Sequence, residues 1–476
     1  MKKNIFLSTV ILLKFFPTSA QWTIVGLPNF SNVQADYIFS AVAPNGDPYV
    51  VYRDANQTAT GTVKKFDGSS WVDVGSRFST GYVYCTTMAF NSTGTPYVAY
   101  MDAGNSNRVT VMKFDGSNWV AVGAVGFTPS GASYTSIVID GNGTPYVAFR
   151  DFAQSYRASV MKFNGTNWVY VGMPGFSENI HFGGVGYTSL AIDKQGTLYI
   201  AYEDDGDDFK ASVMKFNGSS WVYVGAPAFS AWQTATTSLV LDSHGTPYVA
   251  YWDRANGGKA TVMEFDGSNW ISVGAVGLTP GVAQYTSLAI DKNDALYLTF
   301  EDHAQSDRAS VMTFDGNIWQ YVGSAGFSDS VAQFTTIAID NNKGILYAAY
   351  EDLYNGTTQT PTYNATVMKF EISTGITEAK NNTTLTVYPN PTSGVFQINY
   401  SATVKGKVQL NIIDEKGKIV YTETFQGDYK GSTKFILSEA EGLTRTIDLG
   451  RKAKGIYFIE IISTDEKRTI KKIVLD

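Results

Sequence analysis

Seven positions place a charge, a thioether or a large aromatic ring immediately ahead of a recurring aspartate: Arg53, Met101, Arg150, Glu203, Trp252, Glu301 and Glu351. The residues around them repeat while these differ, so a shared scaffold does not dictate them. Glu203, Glu301 and Glu351 suit acid–base work on a polysaccharide, since most glycosidases flank the scissile bond with two carboxyls about 5–10 Å apart. Glu301 and Glu351 belong to successive repeats and are the natural pair. Trp252 and Trp232 are the tryptophans outside the repeat. An aromatic face beside charged donors suits the apolar face and hydroxyls of a pyranose. The binding set is therefore Arg53, Arg150, Glu203, Trp252, Glu301, Glu351 and Trp232. The catalytic alternative rests on Glu203, Glu301 and Glu351 alone. Binding is the favoured reading, because the sequence shows no nucleophile motif and no His/Tyr/Arg cluster, and its repeats carry few long insertions.

Other chemistries find little support. One cysteine, Cys85, rules out an internal disulfide and any cysteine-based metal cluster. Three histidines (His181, His244, His303) leave little for a His-rich centre, so no metal and no cofactor are expected. A net charge of −7 argues against nucleic acid, whose phosphates need basic patches. The aspartates ending each repeat half (Asp54, Asp102, Asp151, Asp204, Asp253, Asp302, Asp352) recur seven times and read as scaffold. Five have a cation six positions on, as in Asp102/Arg108, Asp151/Arg157 and Asp302/Arg308; the spacing predicts opposite charges at the two feet of a hairpin. Asp140, Asp193, Asp242, Asp291 and Asp340 read as Asx-type turns. The recurring Phe30, Phe127, Phe176, Phe229 and Phe327 read as packing.

The elements that must position these side chains are written as a repeat. Tryptophans at 22, 71, 119, 168, 221, 270 and 319 each open Trp-x-x-Val-Gly, and six follow a Phe-(Asp/Asn)-Gly turn. One unit holds four apolar runs of strand length, Ser189–Ile192, Leu198–Tyr202, Ala211–Phe216 and Trp221–Val224, separated by turn residues. Four strands in about 49 residues predict a β-propeller blade, and seven units predict an all-β, seven-bladed ring. The last unit lacks its Trp strand and a spare copy, Trp22–Gly26, stands at the N-terminus, so that strand is expected to close the last blade. With the Thr188–Asp193 strand innermost, the longer connections after the second and fourth strands share one face. That face is the expected working face, because loops on a rigid scaffold carry binding.

The two ends read as addresses. Residues 1–20 show Lys2 and Lys3, an apolar run and Pro17-Thr18-Ser19-Ala20, the pattern of a cleaved signal peptide; the run is too short to span a membrane. The propeller takes 21–371, a polar linker 372–383, and a β-rich tail 384–476. Net charge moves from −13 over 21–371 (18 Lys+Arg, 31 Asp+Glu) to +3 over 372–476 (15 against 12). Alternating strands and Gly/Asn/Pro turns in the tail predict a small sandwich. Leu385-Thr386-Val387-Tyr388-Pro389-Asn390-Pro391-Thr392-Ser393-Gly394, Asn411-Ile412-Ile413-Asp414, Ile447-Asp448-Leu449, Gly455-Ile456-Tyr457 and Lys471-Lys472-Ile473-Val474 follow in order. In these the tail resembles the type A C-terminal sorting domain of the Bacteroidota type IX secretion system. The resemblance implies a β-sandwich read by the outer-membrane translocon and its sorting protease, with cargo released or held at the cell surface. Gly427 to Thr444 is then an enlarged loop. The whole reads as an exported, monomeric propeller that binds a glycan or a surface protein.

Overall fold

The computed structural model describes residues 21–31, 33–55, 58–177, 184–354 and 362–372, and the strands of the tail between 384 and 475. The signal segment, most of the linker, the Pro389–Gly394 motif, the 427–443 loop and His181 lie outside the described residues, as do parts of the 172–187 and 354–363 connections. Two units separate at Ile372/Ser373.

In the first unit, seven four-stranded antiparallel sheets follow one another. The fourth illustrates the pattern: Val185–Ile192 innermost, then Leu198–Asp204, Lys210–Phe216 and the short outer Trp221–Tyr223. Second strands such as Leu198–Asp204 are buried throughout, which explains their continuous apolar reading. The seventh blade takes Ala332–Asp340, Ile345–Tyr354 and Thr362–Glu371 from the end of the unit and Thr23–Ile24 from its start; Thr23 pairs with Lys369 and Ile24 with Met368. Strand pairing thus joins the two ends of the ring.

Neighbouring blades are locked by the tryptophans. Each indole Nε1–H donates to the valine carbonyl of the preceding blade's outer strand, from Trp71 to Val25 and Trp119 to Val74, round to Trp319 to Val273 and Trp22 to Val322, at 2.7–2.8 Å. Phe127 stacks on Trp168 at 4.1 Å, and Phe30, Phe176, Phe229 and Phe327 do the same at other seams, so these rings pack between blades. The Asx reading also holds: Asp140 Oδ1 accepts from Asn142 N and Thr144 N, and Asp193, Asp242, Asp291 and Asp340 make equivalent bonds.

Two local expectations need correction. As the spacing predicts, Asp151 faces Arg157 across the hairpin and Asp302 faces Arg308, yet among the described residues Asp102, Asp151, Asp253 and Asp302 are not ion-paired with those cations. Most of these carboxylates turn inward instead. Asp151 accepts from Ala153 N and Ser159 Oγ, and Asp302 from Ala304 N, Ser310 Oγ and the Tyr321 hydroxyl. A buried carboxylate gains more from three fixed donors than from one solvated cation. The inner strand also starts earlier than its apolar run suggests. It begins at Val185, because a β-bulge lies between Gly186, opposite Glu203, and Ser189, opposite Ala201.

The tail forms two sheets, one of Thr384–Tyr388, Val395–Ser401 and Thr444–Asp448, the other of Ile419–Gln426, Lys407–Asp414, Gly455–Ser463 and Arg468–Leu475. Phe396 and Ile398 of the first pack with Leu410, Ile412, Ile459 and Ile473 of the second, which makes a sandwich core.

Candidate functional site

The bulge recurs in every inner strand and sets the centre of the ring. Its first residue has a left-handed backbone in all seven blades: Tyr37, Cys85, Tyr134, Tyr187, Thr236, Tyr285 and Phe334, with φ between 45° and 53°. Bulky side chains seldom adopt this conformation, so the surrounding structure must enforce it. At six of the seven a threonine hydroxyl of the next blade bonds the carbonyl of the left-handed residue. Thr86 donates to the Tyr37 carbonyl at 2.6 Å and Thr335 to that of Tyr285 at 2.8 Å, and Thr135, Thr188, Thr237 and Thr286 likewise bond the preceding blade. Ile38 holds the corresponding place in blade 1 and has no hydroxyl to offer.

The bulge turns these side chains into the axial channel. They line a cavity of about 490 Å³ in the half of the channel nearest the long connections, with Ser136, Ser189, Ser238 and Ser287 on its wall. Five of the seven are aromatic. Tyr134 and Tyr187 lie 5.0 Å apart by ring centroid, and Tyr285 and Phe334 4.4 Å. Burial holds the phenols of Tyr37, Tyr134, Tyr187 and Tyr285 above their ordinary range, so they are hydrogen-bond donors at neutral pH. The sequence reading missed this ring. Its signal was present, an aromatic residue directly before Thr-Ser in blades 3, 4 and 6.

The seven variable residues stand one strand further out, each opposite the residue preceding the bulge: Arg53 faces Asp36, Arg150 faces Ser133, Trp252 faces Ala235, Glu301 faces Gln284 and Glu351 faces Gln333. The two arginines are already engaged. Arg53 pairs with Asp36 and lies over Tyr37 and Tyr84, at 4.8 and 4.9 Å from the ring centroids. Arg150 lies over Tyr156 at 5.0 Å and reaches Asp205 of the next blade at 3.3 Å.

The three glutamates are buried rather than presented at the surface. Burial, reinforced by Asp205 and opposed by Arg150, pushes Glu203 up to about 8. Burial, then Asp307, raises Glu301 to about 7. Burial, then Asp36, raises Glu351 to about 9, while the N–H groups of Tyr37 and Ile38 and the Arg53 charge pull the other way. Glu301 and Glu351 engage different neighbours, the first His303 and Asp307 of its own blade, the second the opening strand of blade 1. The Tyr285 phenol is close enough to feel both charges.

The two tryptophans also part company. Trp252 is half-buried against Gly258, where an added Cβ would come within 2.7 Å of its Nε1. Trp232 is 49% exposed, with the Arg254 guanidinium 5.1 Å from its ring centroid. Trp232 is thus the exposed aromatic platform of blade 5.

Residues 386–476 match the family model described as the secretion system C-terminal sorting domain. The tail is a sorting domain. Such a domain implies export by the type IX route to the cell surface or beyond, and among the described residues no helix is long and apolar enough to cross a membrane. No curated protein sequence matches the chain. Solved structures similar to it include a protein of unknown function from Dyadobacter fermentans, 11% identical, covering 75% of this chain and 100% of its own, TM-score 0.43. An ulvan lyase of the polysaccharide lyase PL25 family, solved bound to a GlcA(1-4)Rha3S saccharide, is 13% identical, covering 72% and 95%, TM-score 0.49. A lectin from Aleuria aurantia in complex with a fucosylated GlcNAc is 14% identical, covering 63% and 98%, TM-score 0.42. The propeller assignment rests on the seven sheets and their closure.

Proposed function

We propose that the chain is an exported glycan-binding propeller, delivered by its sorting domain after a signal peptide is removed, and that the glycan is held at the axial cavity and the face around it. The observation that carries this reading is the convergence of five aromatic side chains, on strained backbone from five blades, onto one hydroxyl-lined cavity of about 490 Å³. Aromatic faces stack on pyranose rings, while the phenols and Ser/Thr hydroxyls serve sugar hydroxyls. Trp232, exposed with Arg254 over its ring, offers a further aromatic face on blade 5. Binding is favoured over glycosidic cleavage because the three glutamates are buried, with Glu203 held beside Arg150 and Asp205 at a blade seam.

Glycan-array binding by the full chain tests the proposal, with Tyr187→Ala and Trp232→Ala alongside. The expected result is a restricted set of bound glycans, with at least about tenfold weaker binding for Tyr187→Ala. An array without signal overturns glycan recognition and points to a protein partner. Shortened or unsaturated products from the bound glycans identify an enzyme instead.

A further inference from the structure

The loop after the second strand of blade 6 departs from the scaffold at three places at once. The repeated aspartate, Asp302, keeps its role, fixed by Ala304 N, Ser310 and Tyr321. Around it stand Glu301, His303 and Asp307. Blade 3 has Arg150, Phe152 and Tyr156 at these positions and blade 5 has Trp252, Arg254 and Gly258, so the fold does not require this trio.

Glu301 Oε1 lies 3.6 Å from His303 Nε2, and Asp307 Oδ1 lies 3.6 Å from His303 Nδ1. One donor atom from each residue falls within 4.8 Å of the other two. A separation of 3.6 Å is long for a hydrogen bond. The imidazole spans the carboxylates with one nitrogen toward each, and at 34% side-chain exposure it has room to turn one nitrogen toward both. A second observation points the same way. Glu301 is 5% exposed and its Oε2 is buried with no hydrogen-bond partner, a costly state for a carboxylate oxygen that a cation would relieve.

We propose that Glu301, His303 and Asp307 form a mononuclear site for a first-row divalent cation beside the axial cavity. One imidazole nitrogen and two carboxylates suit Zn²⁺; Ca²⁺ takes six to eight oxygens, more than this loop supplies. Three protein ligands leave a coordination position open to a bound molecule. The site stands on its own residues and does not depend on the glycan reading.

Calorimetric titration of the chelator-dialysed full chain with ZnCl₂, and separately with CaCl₂, tests it, with native mass spectrometry for stoichiometry. Saturable uptake of one Zn²⁺ per chain is expected, at least about tenfold weaker in His303→Ala and in Asp307→Asn. His244→Ala, a substitution of an exposed histidine on another turn, is expected to bind as the parent does. Thermal unfolding without metal establishes that each variant is folded, and Asp307→Asn, at a part-exposed position, serves if His303→Ala is not. No saturable Zn²⁺ uptake, or uptake unchanged in both ligand variants, overturns the proposal, as does equal binding of Ca²⁺.

Discussion

Glu351 shows how burial, more than any neighbouring charge, decides the state of a side chain. At 3% exposure and with a folded value near 9 against an ordinary 4.5, it keeps its proton in the native chain at neutral pH and loses it on unfolding. The unfolded state therefore binds fewer protons between about pH 4.5 and 9, and stability falls as pH rises through that window. Its contribution is complete below about 4.5. Glu351→Gln keeps the shape and removes the titration, so the variant's unfolding free energy is expected to decline less with pH, by up to about 1.4 kcal/mol per unit. The two curves should run parallel below about pH 4.5. Denaturant unfolding from pH 4 to 9 checks this, and parallel curves across the whole range would show that Glu351 ionises normally. Nothing in the sequence separates this glutamate from an exposed one, because its burial, and the Asp36 charge beside it, come from the neighbouring blade.

The inner strand carries the functional geometry through its bulge. Two residues, Tyr187 and Thr188, oppose the single Tyr202, and the extra residue turns the tyrosine into the channel. Left-handed backbone costs a non-glycine residue roughly 1–2 kcal/mol, and the threonine bond from the next blade helps offset it. Tyr187→Gly removes that strain along with a 38% exposed ring. Stability is expected to change by less than about 1 kcal/mol, since relief of strain opposes the loss of packing and the entropy of glycine. Glycan retention is expected to fall at least about tenfold. A large loss of stability in thermal unfolding would mean that the ring is structural packing. The short Thr-Ser run was legible as strand, but the bulge was not: an apolar alternation of four residues does not mark where a ladder slips.

Ring closure belongs to the whole molecule. Trp22 donates to Val322, 300 residues away, and stacks on Phe327, while Thr23 and Ile24 cover the edge of Thr362–Glu371. Removing residues 21–26 is expected to cost at least about 3–5 kcal/mol, the scale of a buried tryptophan, and to expose a strand edge. Thermal unfolding with light scattering reads both effects; an unchanged transition without association would mean that the ring closes without this strand. The sequence by itself determined the number of blades, the strand order, the displaced closing strand and the sorting tail. Each is written in local repeats or ordered motifs, and a repeat fixes its neighbours' pairing. Only the tertiary structure decided which chemistry-bearing residues meet. Glutamates chosen for their variability are buried, Trp252 is half-covered while Trp232 is exposed, and the tyrosines converge on the axis. Those outcomes depend on contacts about 50 residues apart between successive blades, where side-chain direction follows from bulge and burial and leaves no local pattern to read.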